Sequence, residues 1–282
     1  MADRLSDIVA QIQNVRQLNA VVTAMRGIAA ARAQKGRSML AGIEAYSEVI
    51  SRAIGAALNL MPVEATAPPA HEHLRRGLIL FCAEQGFAGA FSERVFEAAG
   101  ADADTATNLI IGTRGCGIAS ERGIKAHWST AMTTRIEGIP TFANRLAEVL
   151  YRYLAHNAFA TVDVLFSRSI SGSVRVDRHS LLPIDFARFA RSPEREPPLI
   201  TLAPDLLLER LAAEYIYAQL CQAGMHAFVA ENEARMIAML AAKNNTDIKL
   251  DALVRRERRL RQEEITTEIV ELAAGAEAAR WL

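Results

Sequence analysis

Through the first sixty residues, apolar side chains recur at steps of three and four: Leu5, Ile8, Ile12, Val15, Leu18, Val22, Met25 and Ala29. That spacing is the helical period and close to the coiled-coil one, and no proline interrupts it. It predicts one long helix over 1–61. Pro62, Pro68 and Pro69 stop it, and 62–76 reads as a linker. Beyond it the pattern changes to short continuous apolar runs, as expected of strands buried on both faces. Leu78–Ala83, Asn108–Gly112 and Thr161–Phe166 are three such runs, and Ser173–Leu182 can pair with the third. Helical stretches over 91–99, 114–122 and 140–158 separate them. The 77–182 segment is therefore predicted to be an α/β domain around a mostly parallel sheet.

A second proline-rich linker is expected over 183–204, with Pro183, Pro193, Pro197, Pro198 and Pro204. From there to the end no further proline occurs, and glycine only at Gly224 and Gly275. Ile216, Leu220, Phe228, Met236, Leu240, Leu253, Leu260, Ile265, Ile269 and Leu272 carry the apolar pattern, so 205–282 reads as a second long helix. At 1.5 Å per residue a seventy-residue helix is on the order of 100 Å long. The middle domain has an expected radius of gyration of about 14 Å. The fold class is thus an inserted Rossmann-like α/β domain between two long helices paired as an antiparallel coiled coil. Pairing buries one stripe on each helix and leaves Ala, Met, Ile and Leu bare elsewhere, and bare apolar surface on that scale calls for partner subunits.

Composition narrows the function. The 282 residues hold 32 basic and 32 acidic side chains, and zero net charge argues against a general nucleic-acid binder. Cys82, Cys116 and Cys221 are scattered, lack metal or redox spacing, and read as reduced cytoplasmic thiols. The N-terminus resembles neither a signal nor a transit peptide. No apolar run nears the roughly 20 residues that span a bilayer, so a membrane link goes through partners.

Catalytic signatures are missing: there is no GxxxxGK[ST], GxSxG or HExxH. Gly112–Gly117 (GTRGCG) follows a strand but lacks the GxGxxG order, and a tight turn accounts for it. His71-Glu72-His73 sits in the linker without further ligands nearby. Gly86–Phe91 (GFAGAF) reads as a sharp turn after a buried strand. Arg255–Arg261, five arginines against one glutamate, is either a solvated helix face or a dock for acidic partner loops. No catalytic residue, metal site or cofactor is expected. On the residues alone, a sheathed rod, a coiled-coil scaffold with an α/β insert, and an enzyme using Gly112–Gly117 all stay open.

Val21–Arg32 (VVTAMRGIAAAR) resembles the I-T-K-A-M-[KE]-M-V-A-[AS]-[AS]-K segment of the F-type ATP synthase γ-subunit family. Glu231–Asp247 (ENEARMIAMLAAKNNTD) is similar to that family's S-E-x-x-A-R-M-x-A-M-x-x-A-x-x-N-A. Arg261–Thr266 (RQEEIT) is similar to R-Q-x-x-I-T, and GFAGAFSERV to G-L-C-G-x-[FY]-N-x-x-[VL]. The likeness runs through the whole chain in one order. Gly27 in place of Met, Ala88 in place of Cys, Glu263-Glu264 in place of small residues, and the short segment after Leu182 mark a divergent branch.

The resemblance implies a non-catalytic central shaft. It would couple ion flow through a membrane ring to ATP synthesis or hydrolysis in a head of α and β subunits. The expected partners are the α and β subunits, the ε subunit and the ring of c subunits, with no nucleic acid. The expected place is the cytoplasmic side of the cell inner membrane, peripherally. The resemblance also implies partner contacts at Met25, Arg261 and Gln262, with Met25 and Arg261 close together near β-subunit loops. Glu231 and Arg235 match positions lower on the coiled coil, where an i,i+4 ion pair is the alternative.

Overall fold

A computed structural model describes residues 2–61, 76–156, 159, 161–170, 173–189 and 199–278. The linker positions 62–75 with His71-Glu72-His73, the prolines at 193, 197 and 198, and the last four residues lie outside the described residues. Two compact units are present, Met1–Ile28 with Met236–Leu282, and Ala29–Arg235. Helix α1 (Ala2–Leu58) and helix α6 (Pro204–Ala278) each contribute to both.

In the first unit, Ile8 and Ile12 of α1 are buried against Leu253, with Val15, Leu250, Val254 and Leu260 packed around them. Asn19 donates its side-chain amide to the Asp247 carboxylate, and Lys243 pairs with Asp247 one turn away. As α1 advances, its α6 partner recedes, so the two segments run antiparallel. The seam positions 8, 12, 15, 19 and 22 alternate steps of four and three, which is the 3.5-residue repeat of a left-handed coil. Leu18 is 52% exposed. The hydrophobic reading places it on the seam, but the seam position belongs to Asn19, a polar residue that satisfies its amide across the interface.

In the second unit the same repeat continues along α1 through Ala29, Ala33, Gly36, Ser47 and Ile54, all buried. Partners again run in reverse: Arg37 with Glu233, Ser47 with Gln219 (2.9 Å), Tyr46 with Glu214, and Ile54 and Leu58 with Leu208 and Leu211. The small residues bring the helices close. A Cβ built on Gly36 would lie 2.5 Å from Val229 Cγ2.

The sheet of this unit has the order β3-β2-β1-β4-β5. Strands β1 (Arg76–Phe81), β2 (Thr107–Ile111), β3 (Ala126–Thr130) and β4 (Thr161–Ile170) are parallel, and β5 (Ser173–Leu182) is antiparallel to β4. Helices α2 (Phe91–Ala99), α3 (Asp102–Thr105), α4 (Thr113–Glu121) and α5 (Ile139–Ala155) connect them. The edge strand β3, AHWST, escapes a search for apolar runs because none of its residues is fully buried. One face of the sheet packs on α2 and α4 through Leu78, Leu80, Ile110, Val95 and Phe96. The other packs on α5 and on α6 through Ile79, Phe81, Ile139, Leu146, Leu220 and Phe228.

Candidate functional site

Glu231 and Arg235 stand one turn apart on α6 and are 5% and 4% exposed. Both face the loop that leaves β1. The Glu231 carboxylate accepts the backbone N–H of Glu84 (3.3 Å) and of Gln85 (3.2 Å). Arg235 Nε donates to the Gly86 carbonyl (3.1 Å), and Nη2 to the Gln85 carbonyl (3.0 Å) and to Glu231. Its Nη1 donates to Asn232 Oδ1 at 3.3 Å. Charged groups survive burial only when paired and hydrogen-bonded, and here every contact is internal. The i,i+4 pair given as the alternative reading exists, and within this chain it is turned inward.

A second carboxylate works beside it. Glu84 Oε2 accepts the N–H of Thr113, the first residue of α4, at 3.1 Å and the N–H of Met132 at 2.8 Å. Its Oε1 accepts the Thr113 hydroxyl at 2.8 Å. Glu84 therefore ties together the ends of β1, β2 and β3. Gly112 is required at this turn: its φ is +101°, and a Cβ would lie 2.5 Å from the Cys82 carbonyl oxygen. In an open parallel sheet, ligands bind beyond the strand C-termini where the strand order reverses, with helix N-terminal amides holding phosphate. Here the order reverses at β1, and the amides of Glu84, Gln85 and Thr113 already hold the chain's own carboxylates. Gly112 and Gly115 of GTRGCG serve that turn and the packing of α4, since a Cβ on Gly115 would lie 2.3 Å from Cys82 Cβ, whereas one on Gly117 would meet nothing within 4 Å. Sequence reasoning missed Glu84. The only signal for it was its place directly after a buried apolar run.

The other three candidates belong to the first unit. Met25 is half-buried, and Arg261 and Gln262 are exposed. Arg261 Nη2 donates to Glu257 Oε1 at 2.8 Å, and the Gln262 carbonyl accepts the Thr266 hydroxyl at 2.8 Å. The expected proximity of Met25 to Arg261 does not hold. With Asn19 opposite Asp247 and the helices antiparallel, Met25 and Arg261 lie in opposite directions from that pair, separated axially by about 30 Å at 1.5 Å rise per residue. A shared motif family does not imply a shared level on a rod.

A protein of Leifsonia xyli subsp. xyli called ATP synthase gamma chain is 26% identical over 284 residues, covering 95% of each chain. One of Bdellovibrio bacteriovorus with the same description is 26% identical over 296 residues, covering 98% of this chain and 99% of that one. A family model described as ATP synthase matches residues 4–279. The chain belongs to the ATP synthase γ-chain family. Its place in the complex is that of the non-catalytic central stalk. The fold agrees with solved members. A chain from the Euglena gracilis mitochondrial ATP synthase structure of OSCP, F1 and c-ring superposes with TM-score 0.67 at 11% identity, covering 99% of this chain and 95% of that one. A chain from the rotor of the same enzyme gives 0.66 at 10% identity, covering 94% and 100%. The complex is membrane-associated, and no helix among the described residues is long and apolar enough to cross a membrane.

Proposed function

We propose that the chain turns as the shaft of an F-type ATP synthase, its two long helices inside a head of α and β subunits and its α/β domain toward the ε subunit and the c ring. The observation that carries this is the family match from residue 4 to residue 279, joined to two antiparallel helices that keep Leu18, Val21, Ile28, Ile237, Ile248, Ile265, Ile269 and Leu272 between 51% and 73% exposed. A solvent-facing rod so apolar fits a sheath of partner subunits. The division into a 1–61 helix, a 77–182 domain and a 205–282 helix fits the same mechanical role.

The chain makes and breaks no bonds. As it turns it meets each β subunit with a different face, and a face that fits one nucleotide-binding state better than another shifts that subunit's equilibrium. Met25, Arg261 and Gln262 are the proposed β contacts. Their axial separation makes them two independent contacts, a half-buried thioether suited to sliding and, farther along α6, an exposed guanidinium suited to carboxylates. The proposed location is the cytoplasmic face of the cell inner membrane, held through partners alone.

An affinity tag on the chain tests the reading in membranes solubilised with mild detergent. The expected result is a purified complex that contains α, β, ε and c subunits and pumps ions with ATP once returned to vesicles. Recovery of the tagged chain without ATPase subunits would refute it.

A further inference from the structure

The loop that leaves β1 is gripped by one short stretch of α6 from both sides. Before its apex, Glu231 and Arg235 take two N–H groups and two carbonyls of Glu84, Gln85 and Gly86. After the apex, Ala88 and Phe91 pack with Ala83 on Ala230, with Ala234 alongside. The apex is Phe87, 67% exposed and with φ +62°. That backbone region is unfavourable for a residue with a Cβ and persists where the surroundings impose it. An extended aromatic ring facing solvent contributes nothing to the loop's own stability, so the grip from α6 must supply the order. Backbone groups that a nucleotide-binding sheet would offer to phosphate are used here to bind a helix.

We propose that Glu231 and Arg235 are positioning residues that make the loop leaving β1 a stiff extension of α6, so that the loop and Phe87 travel with the helix under load instead of bending. The inference rests on the shaft reading above. A shaft with a yielding attachment turns normally when nothing opposes it and slips when an ion gradient pushes back. The charge at Glu231 matters as well as its shape, because it answers both the two amides and the buried Arg235 guanidinium.

The test uses the assembled complex in membrane vesicles, with wild type, Glu231→Ala and Arg235→Lys. Three quantities are read: hydrogen exchange at the amides of 84–87, the initial rate of ATP-driven pumping with no gradient, and the largest gradient sustained. Both variants are expected to speed exchange at Glu84 and Gln85 by about tenfold or more, to keep the initial rate, and to halve the sustained gradient or worse. Acetate replaces the atoms removed in Glu231→Ala and is expected to restore the gradient, whereas chloride at equal ionic strength is not. Arg235→Lys keeps the charge but loses the donor fork, and it serves if Glu231→Ala does not assemble. Faster exchange with an unaltered sustained gradient overturns the proposal and leaves the shaft reading standing. Loss of initial rate and gradient together, without rescue by acetate, also overturns it. A wild-type complex that does not pump would instead overturn the shaft reading.

Discussion

Gly27 and Gly36 stand in the same helix and respond oppositely to the same substitution. At Gly27 an added Cβ meets nothing within 4 Å. Gly27→Ala removes a helix-interior glycine and is expected to stabilise the isolated chain by about 1 kcal/mol. At Gly36 the added Cβ would lie 2.5 Å from Val229 Cγ2, with Phe228 Cδ1 at 3.5 Å and Ile136 Cδ1 at 3.8 Å. The last two are ordinary contacts. The first is about 1 Å or more inside the usual carbon–carbon separation. Val229 cannot swing away easily, because it is 2% exposed and a β-branched side chain in a helix has one strongly preferred rotamer. Relief requires α1 and α6 to part locally, and such overpacking costs roughly 1–3 kcal/mol. Set against the same helix gain of about 1 kcal/mol, Gly36→Ala is expected to be neutral to destabilising by about 2 kcal/mol. The difference between the two variants isolates the clash, since the helix term cancels. Denaturant midpoints of the full chain, followed by helical circular dichroism, measure it. In a Val229→Ala background the clash is gone, so Gly36→Ala should turn stabilising by about 1 kcal/mol. Equal stabilisation by Gly27→Ala and Gly36→Ala in the native background would refute the close seam.

Burial, with Arg168 nearby, pushes the His226 imidazole down to about 4 from its ordinary 6.5, while Asp177 pulls the other way and Glu44 stands 3.7 Å from Nε2. The folded state therefore keeps it neutral. Stability is full above about pH 6.5 and falls as pH drops toward 4, by at most about 3 kcal/mol, because only the unfolded chain takes up the proton. His226→Phe should flatten that limb of a stability–pH curve, and an unchanged slope would contradict the assignment. Glu84→Ala is expected to cost roughly 1–3 kcal/mol by leaving the Thr113 and Met132 amides without their acceptor, read as a lower thermal midpoint; no change would mean the strand ends do not need it. Met25→Lys and Arg261→Ala, about 30 Å apart, should change ATP-driven pumping independently, so the double variant equals the product of the singles, whereas a suppressed or amplified double effect would place them at one contact.

Much of the architecture is written in periodicity. The 3.5-residue repeat of α1 and the apolar runs of β1, β2 and β4 give two helices and a sheet, because burial on one stripe or on both faces imposes those spacings. Where an element is not buried, the signal fails: β3 lies at a sheet edge, paired only with β2, and reads as loop. Hydrophobicity alone also misassigns a seam position when a polar residue fills it, as Asn19 does in place of Leu18. For the candidate site, the ENEAR segment was visible as a motif, but a motif does not say which way its charges face. Glu231 and Arg235 look like surface residues of a charged helix until the β1 loop is placed against them. The distance between Met25 and Arg261 depends on helix register, which is set by pairs far apart in sequence such as Asn19–Asp247, and no local pattern encodes it.

The sheet makes a more general point about how a fold changes purpose. A doubly wound sheet gathers unpaired amides at its strand ends, and those amides need an acceptor. An enzyme leaves them to a ligand, which then comes and goes. This chain supplies two permanent acceptors. Glu84 closes β1, β2 and β3 against one another, and Glu231 closes the β1 loop against α6. An exchangeable ligand makes the loop order conditional on binding, whereas a carboxylate on the chain's own helix makes it a fixed feature. The same geometry that serves recognition in one protein serves rigidity in another, and fold alone does not say which. The decisive observation is the origin of the anion that meets the strand-end amides, and in this chain both anions are its own: Glu84 of the β1 loop and Glu231 of α6.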